Sequence, residues 1–352
     1  MARPTGRRFA AGIAGAAGAA LVAAGCTLTE GRWKGPVREN FDGRRFRSIE
    51  PLDHGFPEFL RWITHRERGP WRDFTDTPPG PRPPERVGGR VLRVTFVNHS
   101  TVLVQMDGVN FLTDPIWSRR ASPVSFAGPR RHRPPGLRFE DLPPIDAVLV
   151  SHNHYDHMDL PTLRRIARRD RPVVFAGSNS AGYLARRGVP CARDLGWWES
   201  AAVSADVRVT AVPARHFSSR SPFDRDRTLW CGFVVTGPSG SFYFAGDTGW
   251  GSHFEQIARR FPGLRLAMLP IGAYRPRWFM APAHIDPQEA VCAHRALGAA
   301  ASLAVHFGTF AQADDGEFEP QAALEGALAS SEPRARFLLL DNGESAEIPA
   351  VE

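Results

Sequence analysis

Three histidines and one aspartate within six consecutive residues constrain this 352-residue chain more than any other feature. His152 and His154 can point to the same side of an extended backbone, and Asp156 and His157 follow after a turn. Imidazole and carboxylate groups are the ligands that zinc uses in catalytic sites, where one position stays open for water. A surface loop that is merely rich in histidine is the alternative, but a cluster this short and dense is typical of a metal site. We predict that the first pair binds one metal and the second pair another.

The residues before the cluster predict where it lies in the fold. Residues 145–150, Ile-Asp-Ala-Val-Leu-Val, form an apolar run typical of a buried strand. Open α/β sheets place their ligands at the carboxyl ends of such strands. Other acidic or imidazole residues follow apolar runs in the same way: His216, Asp247 and His306. Because four predicted strands end in such groups, we expect them to share one site.

Composition and charge restrict the partners of the chain. The net charge of +7 and isoelectric point near 9.9 would suit nucleic acid or a membrane. Almost all basic residues are arginine, however, and Lys34 is the only lysine, which a coding bias toward arginine explains. Since no basic stretch is interleaved with aromatic residues, we predict no nucleic-acid partner.

The four cysteines do not have the paired spacing of a disulfide framework or a cysteine zinc site. We expect Cys191, Cys231 and Cys292 to be small buried hydrophobic residues. Cys26 stands apart, because it ends the segment described next.

Residues 1–25 have the plan of a secretory signal, with Arg7 and Arg8 ahead of an apolar, Ala- and Gly-rich stretch. This stretch is too short and too rich in glycine for a convincing membrane span. Its end, Ala24-Gly25-Cys26, resembles the lipobox of bacterial lipoproteins, although Ala23 stands where leucine is usual. The paired arginines also resemble a twin-arginine export signal. We expect lipidation of Cys26 and a protein that is exported and lipid-anchored on the periplasmic side of the bacterial cell envelope.

Residues 26–87 predict a Pro- and Arg-rich N-terminal arm. Its tract at residues 77–84 is typical of a stiff linker or of a segment that wraps around a domain. Phe56, Phe59, Leu60 and Ile63 have helical spacing and predict one short amphipathic helix. We expect this helix to pack against the main domain, with membrane contact as the alternative.

From residue 88 the pattern changes to short strands that alternate with helices. Strands are predicted at 91–97, 101–106, 109–112, 173–175, 207–212, 229–235, 242–245, 266–269, 302–305 and 337–340. Helices are predicted at 160–169, 179–187 and 321–330, and Asp286 begins a further helix that runs to Leu297 with Pro287 and Glu289 in its first turn. Two halves of strands followed by helices predict two layered sheets with helices outside.

The pattern His-x-His-x-Asp-His, followed by His216, Asp247 and His306, resembles the metallo-β-lactamase superfamily. Further motifs resemble, more narrowly, the N-acylphosphatidylethanolamine-hydrolysing phospholipase D family. They lie in order along the chain at residues 98–104, 111–116, 121–123, 142–158, 244–249 and 270–280. The resemblance covers roughly residues 90–345, and so many ordered motifs make chance an inadequate explanation.

This resemblance implies an α/β fold, a four-layer αββα sandwich of the metallo-β-lactamase type, over residues 88–349. It also implies two zinc ions, or another divalent metal, bound by seven ligands. One set would be His152, His154 and His216; the other set would be Asp156, His157 and His306; Asp247 would bridge the two.

Two more residues receive roles from the resemblance. His284 matches a histidine that the family places at the site without its being a ligand, and a histidine near its ordinary pKa could donate a proton to the substrate. The alternative is a histidine that bonds backbone beside the helix cap at Asp286. Asp114 matches an acid close to the centre that would orient a liganding group, and a plain strand-ending acid is its alternative.

The activity that the resemblance implies is phospholipase D-type cleavage of N-acylphosphatidylethanolamine or a related phospholipid. Two metals about 3.5–4 Å apart can activate water and stabilise the entering and leaving oxygens of a phosphodiester. A lactonase or other hydrolase on the same centre is one alternative, and a non-catalytic envelope lipoprotein that binds metal or lipid is another. The expected partners are a phospholipid and, through the lipid anchor, a membrane surface.

Residues 274–280 carry two arginines beside aromatic and sulfur groups. Such a segment would suit the binding of a phosphate next to an acyl chain. The alternative is a loop that is anchored in the core and has solvated arginines.

Overall fold

The computed structural model describes residues 31–52 and 55–350. The predicted signal segment and the lipidation site at Cys26 lie outside the described residues. In the described part of the chain, no helix is long and apolar enough to cross a membrane.

Two mixed sheets, each with seven strands in the described residues, form the centre of the fold. The first sheet contains β1 Leu92–Asn98, β2 Thr101–Met106, β3 Val109–Thr113, β4 Ala147–Val150, β5 Val173–Gly177, β6 Ala192–Leu195 and β14 Ser345–Ile348, in the order β14-β1-β2-β3-β4-β5-β6. The second contains β7 Ser200–Ala202, β8 Arg208–Val212, β9 Gly232–Gly237, β10 Gly240–Phe244, β11 Leu266–Pro270, β12 Ser302–Val305 and β13 Phe337–Leu338, in the order β13-β12-β11-β10-β9-β8-β7.

The helices are α1 Phe56–Thr64, α2 Leu160–Arg169, α3 Ala181–Arg186, α4 His253–Arg260, α5 Arg277–Met280, α6 Pro287–Leu297 and α7 Glu319–Ala329, with a 3₁₀ turn at Phe139–Asp141. Helix α6 begins as the sequence predicts, because the Asp286 side chain accepts from Glu289 N at 2.8 Å and the Glu289 side chain accepts from Asp286 N at 3.0 Å. It ends at Gly298, whose φ of 60° is left-handed.

Burial explains the layers. Large side chains such as Phe96, Phe111 and Phe233 are fully buried in the main core, whereas Leu163 and Ile166 of α2 belong to a second cluster with the first sheet. Helices α4, α6 and α7 contribute to the core on the side of the second sheet. The predicted αββα sandwich of metallo-β-lactamase type is therefore confirmed.

Several predicted bounds differ from the observed ones. The strand predicted at 229–235 begins only at Gly232, because Leu229 N and Cys231 N donate to Ser178 O and Ser151 O of the first half. Strand β13 stops at Leu338, earlier than predicted. Strands β6, β7 and β14 and helices α4 and α5 were not predicted, since they are short or, in α4, polar on most faces. The cysteine prediction is partly wrong: Cys231 is buried, but Cys191 is half-buried and Cys292 is exposed.

The N-terminal arm packs along the main fold through polar contacts. Arg66 forms an ion pair with Asp314, and Arg72 forms another with Glu317 at 2.7 Å. The Pro-rich tract also contacts the body, since Gly80 N donates to Gly136 O at 2.7 Å. In this structure the tract behaves as a wrapping segment.

Helix α1 packs with a different face from the one predicted. Phe56, Phe59, Leu60 and Ile63 are 72%, 42%, 48% and 45% exposed. The buried residue is Trp62, whose ring stacks on Phe279 with a centroid distance of 5.0 Å. Helix α1 therefore anchors through its tryptophan and leaves its other apolar side chains at the surface.

Candidate metal centre and active site

All seven predicted ligands converge at the carboxyl ends of strands from both sheets. The loop after β4 provides His152, His154, Asp156 and His157, while β8, β10 and β12 lead to the other three: His216, Asp247 and His306. Parallel pairing of β3 with β4 and of β10, β11 and β12 brings these ends to one edge. All seven are buried except His154, which is half-buried.

One set of three histidines forms the first candidate site. His154 Nδ1 lies 2.8 Å from His152 Nε2 and 3.4 Å from His216 Nε2. Ligand atoms of these three residues all lie within 4.8 Å of one another. Three imidazoles that converge on one point match the three-protein-ligand pattern of a catalytic metal.

The second candidate site centres on Asp156. Its Oδ2 atom lies 2.9 Å from His157 Nε2 and 3.5 Å from His306 Nε2. These residues, together with His99, again fall within 4.8 Å of one another. Two imidazoles and a carboxylate therefore face a common point beside the first site.

Asp247 lies between the two sets. Its Oδ2 atom is 3.2 Å from the Nε2 atoms of His157 and His306 and 3.9 Å from those of His152 and His216. This position is the one that a bridging ligand requires.

Gly246 lets the backbone before Asp247 lie close to Ser151, at the start of the metal-binding loop. A Cβ atom there would lie 2.5 Å from Ser151 Cβ, and the φ of Gly246 is +62°. Only glycine satisfies both conditions without strain. After β10, the packing therefore requires glycine at position 246, and the proposed metal chemistry requires the aspartate at position 247.

Asp156 and Asp247 are ionised although they are buried. Burial alone would raise the pKa of Asp156 and of Asp247, but the neighbouring imidazoles, His157 first among them, hold both pKa values well below the usual range. Conversely, although burial opposes it, Asp247 and Asp156 raise the pKa of His306 to about 9. Buried negative charge of this kind requires a cationic partner.

The donor atoms fit metal ions. His157 Nε2, His306 Nε2 and Asp247 Oδ1 are buried and have no hydrogen-bond partner. The two nitrogens lie close to carboxylate oxygens without hydrogen-bond geometry, as expected for atoms that share a metal ion. Buried polar atoms normally find partners, so these three favour coordination.

Most of the proposed histidine ligands are held by a second contact. The Nδ1 atoms of His152, His157 and His216 lie 2.9 Å from Ser151 Oγ, 2.6 Å from Asp114 Oδ2 and 3.0 Å from Ala283 O. Such contacts fix the tautomer and direct Nε2 at the metal.

The structure places Asp114 where an orienting acid belongs. Besides contacting His157, its carboxylate accepts from Ser151 N at 2.7 Å and from Ser151 Oγ at 2.5 Å. It therefore holds both ends of the loop that carries the first ligands. Its backbone is left-handed, with φ of 31°, a strained conformation that is common at functional sites.

His284 lies at the edge of the site and outside the two ligand sets. Its Nδ1 atom is 3.9 Å from Asp247 Oδ2, and its backbone carbonyl accepts from Arg277 Nη1 at 2.8 Å. Burial lowers the pKa of His284 to about 4. The expectation that this histidine keeps its ordinary pKa is therefore wrong, and the ring is neutral at neutral pH.

His99 reaches the site but was not singled out from the sequence. Its Nε2 atom lies 2.9 Å from Asp156 Oδ2, and its ring is 4.2 Å from that of His306, centroid to centroid. It directly follows β1, so the strand-end criterion that found the other ligands could also have found it.

The two arginines of residues 274–280 are engaged in ion pairs. Arg275 Nη1 lies 2.8 Å from Glu319 Oε1, and Arg277 Nη2 lies 2.8 Å from Glu289 Oε2. Of the two sequence interpretations, the anchored loop describes this segment better than a phosphate-binding one.

A cavity of about 610 Å³ opens over the candidate metal centre. His154, Asp156, Asp247, His284 and His306 line its inner part. An apolar wall comes from the arm and from the segment around α5: Phe56, Phe59, Trp62, Phe279 and Met280. This volume suits a small-molecule substrate, and the wall suits an acyl chain.

Comparison with known proteins identifies the class. A family model described as the beta-lactamase superfamily domain matches residues 109–307, more than half of the chain. With its two sheets and its cluster of strand-end histidines and aspartates, the chain belongs to the metallo-β-lactamase superfamily and is a metal-dependent hydrolase.

Within that superfamily, the sequence is similar to an enzyme of known activity. The chain is 37% identical over 266 residues to N-acyl-phosphatidylethanolamine-hydrolyzing phospholipase D 1 of Caenorhabditis elegans, covering 72% of this chain and 75% of that protein. It is 29% identical to a metal-dependent hydrolase of Methanopyrus kandleri, covering 73% of this chain and all of that protein. The crystal structure of a possible metal-dependent hydrolase from Veillonella parvula has a TM-score of 0.60 at 17% identity, covering 73% of this chain and 99% of that one, and supports the fold alone. The family resemblance predicted from the sequence is confirmed.

Proposed function

We propose that the chain is a dinuclear zinc phosphodiesterase that hydrolyses N-acylphosphatidylethanolamine, or a closely related phospholipid, by a phospholipase D-type reaction. The observation that carries this proposal is that two ligand sets share Asp247 at the inner end of a cavity with an apolar wall. The similarity to the C. elegans enzyme names the substrate class. Water would add to phosphorus, the bond between phosphorus and the ethanolamine oxygen would break, and phosphatidic acid and an N-acylethanolamine would leave.

The proposed ligands divide into two sets around Asp247. His152, His154 and His216 would hold one zinc ion, and Asp156, His157 and His306 would hold the other. When bound, two such ions lower the pKa of a water and stabilise charge on the phosphoryl oxygens.

The remaining roles belong to the chain itself. Asp114 accepts from His157 Nδ1 and from Ser151, which keeps both the ring and the loop in place. His284, neutral at neutral pH, can donate a hydrogen bond from its ring N–H to a phosphoryl or departing oxygen. Phe56, Phe59 and Phe279 give the acyl part of the substrate an apolar surface and exclude water from that side of the cavity.

Location at a membrane is a further part of this proposal. We infer from Ala24-Gly25-Cys26 that the chain is exported and acylated at Cys26 on the envelope. Exposed Phe56, Leu60 and Ile63 on α1, at the side of the cavity, would face the same lipid surface. A single acyl chain binds a bilayer only marginally, so stable attachment would need the several chains of a lipoprotein N-terminus.

Metal-replete protein incubated with vesicles that contain N-acylphosphatidylethanolamine tests the proposal, with products identified by mass spectrometry. Phosphatidic acid and N-acylethanolamine are the expected products, with Asp247→Asn as the inactive control. Ring opening of a lactone in place of lipid cleavage would indicate a different hydrolase on the same centre. Metal binding without any turnover would indicate a non-catalytic lipoprotein.

A further inference from the structure

His306 differs from the other proposed ligands that use Nε2. The Nδ1 atoms of His152, His157 and His216 each have a polar partner. His306 directs Nε2 toward Asp247 and Asp156, yet its Nδ1 is buried and has no hydrogen-bond partner. A metal-liganding histidine whose second ring nitrogen has no hydrogen-bond partner is unusual, because that nitrogen normally donates to a carboxylate, a carbonyl or a water.

Asp315, near His306, has a second buried polar atom without a hydrogen-bond partner. Asp315 is 6% exposed, and its Oδ2 accepts from Ala273 N at 3.2 Å. Its Oδ1 is buried without any partner. Buried carboxylate oxygens are rarely left in this way, since the desolvation cost is large.

Both residues line the same small cavity. His306, Asp315 and Trp71 contribute to its wall, and the space open to a water centre is about 10 Å³. Roughly 10–15 Å³ by this measure accommodates one water, provided polar groups are available to bind it. One donor, His306 Nδ1–H, and one acceptor, Asp315 Oδ1, meet that condition.

We propose that Asp315 is a positioning residue for the metal ligand His306 and acts through one water held in this cavity. The water accepts from His306 Nδ1–H and donates to Asp315 Oδ1. This places the proton on Nδ1 and leaves the Nε2 lone pair directed at the metal. Asp315 would thus do for His306 what Asp114 does by direct contact for His157.

The N-terminal arm fixes the acid in place. Trp71 Nε1 donates to Asp315 O at 2.9 Å, and Gly69 N donates to Asp314 O at 2.7 Å. Trp71 also lines the cavity. Through these contacts the arm, which lies outside the matched family domain, supports a ligand of the candidate metal centre.

This inference rests on the proposed metal site. Measurements of metal affinity distinguish a failure of the role given to Asp315 from a failure of the proposed function. Apoprotein is titrated with zinc against a chromophoric chelator for the wild type, Asp315→Ala and Asp315→Asn. We expect one of the two metals to bind about 10- to 100-fold more weakly in Asp315→Ala. A smaller loss is expected in Asp315→Asn, which keeps a neutral acceptor. Glu317→Gln is the matched control, because Glu317 binds Arg72 of the arm but does not line the cavity.

Each outcome has one meaning. Two tightly bound metals in the wild type and in both Asp315 variants would overturn this inference and leave the proposed function intact. No metal in the wild type would overturn the proposed function. Equal weakening in Glu317→Gln and Asp315→Ala would show that a loosened arm, and not the water, is responsible. If Asp315→Ala does not fold, Asp315→Asn and a crystal structure of the metal-loaded wild type decide: a water within about 3.2 Å of both atoms is expected, and its absence contradicts the proposal.

Discussion

His99 Nε2 lies 2.9 Å from Asp156 Oδ2, although the two residues are 57 positions apart and follow different strands of the first sheet. The contact joins a proposed metal ligand to a histidine whose backbone is also tied to the second sheet, since His306 N donates to His99 O at 2.8 Å. Burial lowers the pKa of His99 to about 3, so its ring is neutral. A neutral ring that donates from Nε2 would fix the direction of the Asp156 carboxylate.

Replacing His99 with Phe tests that role. The phenyl ring fills the space but removes the donor, so we expect metal affinity to fall about 10- to 100-fold at the site that contains Asp156. His294→Phe is the control, because His294 is also buried and its Nδ1 lies 2.8 Å from Ser302 Oγ, outside the centre. Both variants should lose roughly 1–3 kcal/mol of unfolding free energy. Only His99→Phe should lose metal, as measured by chelator competition; equal metal affinity in the two would assign His99 to packing alone.

Asp247 should be the most sensitive of the ligands. Its Oδ2 lies within 3.9 Å of histidines from both sets, so Asp247→Ala removes the negative charge from between the two proposed cations. We expect loss of at least one metal per chain and of turnover, measured by elemental analysis and lipid hydrolysis. Asp286→Asn is the control, since asparagine caps a helix as well as aspartate does. Two retained metals with near-normal activity in Asp247→Ala would exclude the bridging role.

His284 should affect rate without affecting metal content. It lies 3.9 Å from Asp247 and lines the cavity, while the ligand sets are complete without it. His284→Ala is expected to keep both metals and its melting temperature while kcat falls by about 10²- to 10³-fold, the usual loss when one hydrogen-bond donor to a developing oxyanion is removed. Metal loss in this variant would instead make His284 a ligand, and loss of stability alone would make its role structural.

The sequence predicts most of the site because its ligands obey a simple rule: each follows an apolar strand, and strands that lie in parallel bring such residues to one edge. The same rule, applied to β1, would have included His99. Asp315 could not be found in this way, since it does not follow a strand and its contacts with Ala273 and Trp71 join residues distant along the chain. The buried face of α1 was also missed, because helical spacing identifies an apolar stripe but does not decide whether Trp62 or Phe59 meets the body.

Arg220 holds the metal-binding loop from beneath. It is 8% exposed, and its Nη1 donates to Asn153 O at 2.7 Å, between the first two clustered ligands, and to Met158 O at 3.0 Å, just after the last. Arg220→Met keeps much of the volume but leaves both carbonyls without their donor. We expect a loss of roughly 3 kcal/mol of unfolding free energy and weaker metal binding at both sites. Arg168→Met, at an exposed position of α2, should change stability by less than about 0.5 kcal/mol. Denaturant unfolding and chelator titration measure the two effects, and normal metal affinity in Arg220→Met would show that the loop keeps its shape unaided.

Two apolar side chains of α1 distinguish binding of the substrate's acyl chain in the cavity from contact of the helix with the bilayer. Phe59 is 42% exposed and lines the cavity, whereas Ile63 is 45% exposed on the same helix and does not line it. If the wall binds the acyl chain of the substrate, Phe59→Ser should raise KM for a long-chain phospholipid roughly 10-fold, the effect of losing about 1.5 kcal/mol of apolar contact. The rate on a short, water-soluble phosphodiester should not change. Ile63→Ser should leave that substrate and detergent-dispersed lipid unaffected and slow hydrolysis only on vesicles, where its side chain would face the bilayer. Kinetics on detergent-dispersed lipid, compared with vesicles, make the distinction. Equal losses in Phe59→Ser and Ile63→Ser that occur only on vesicles would show that Phe59, like Ile63, contacts the bilayer and does not hold the acyl chain.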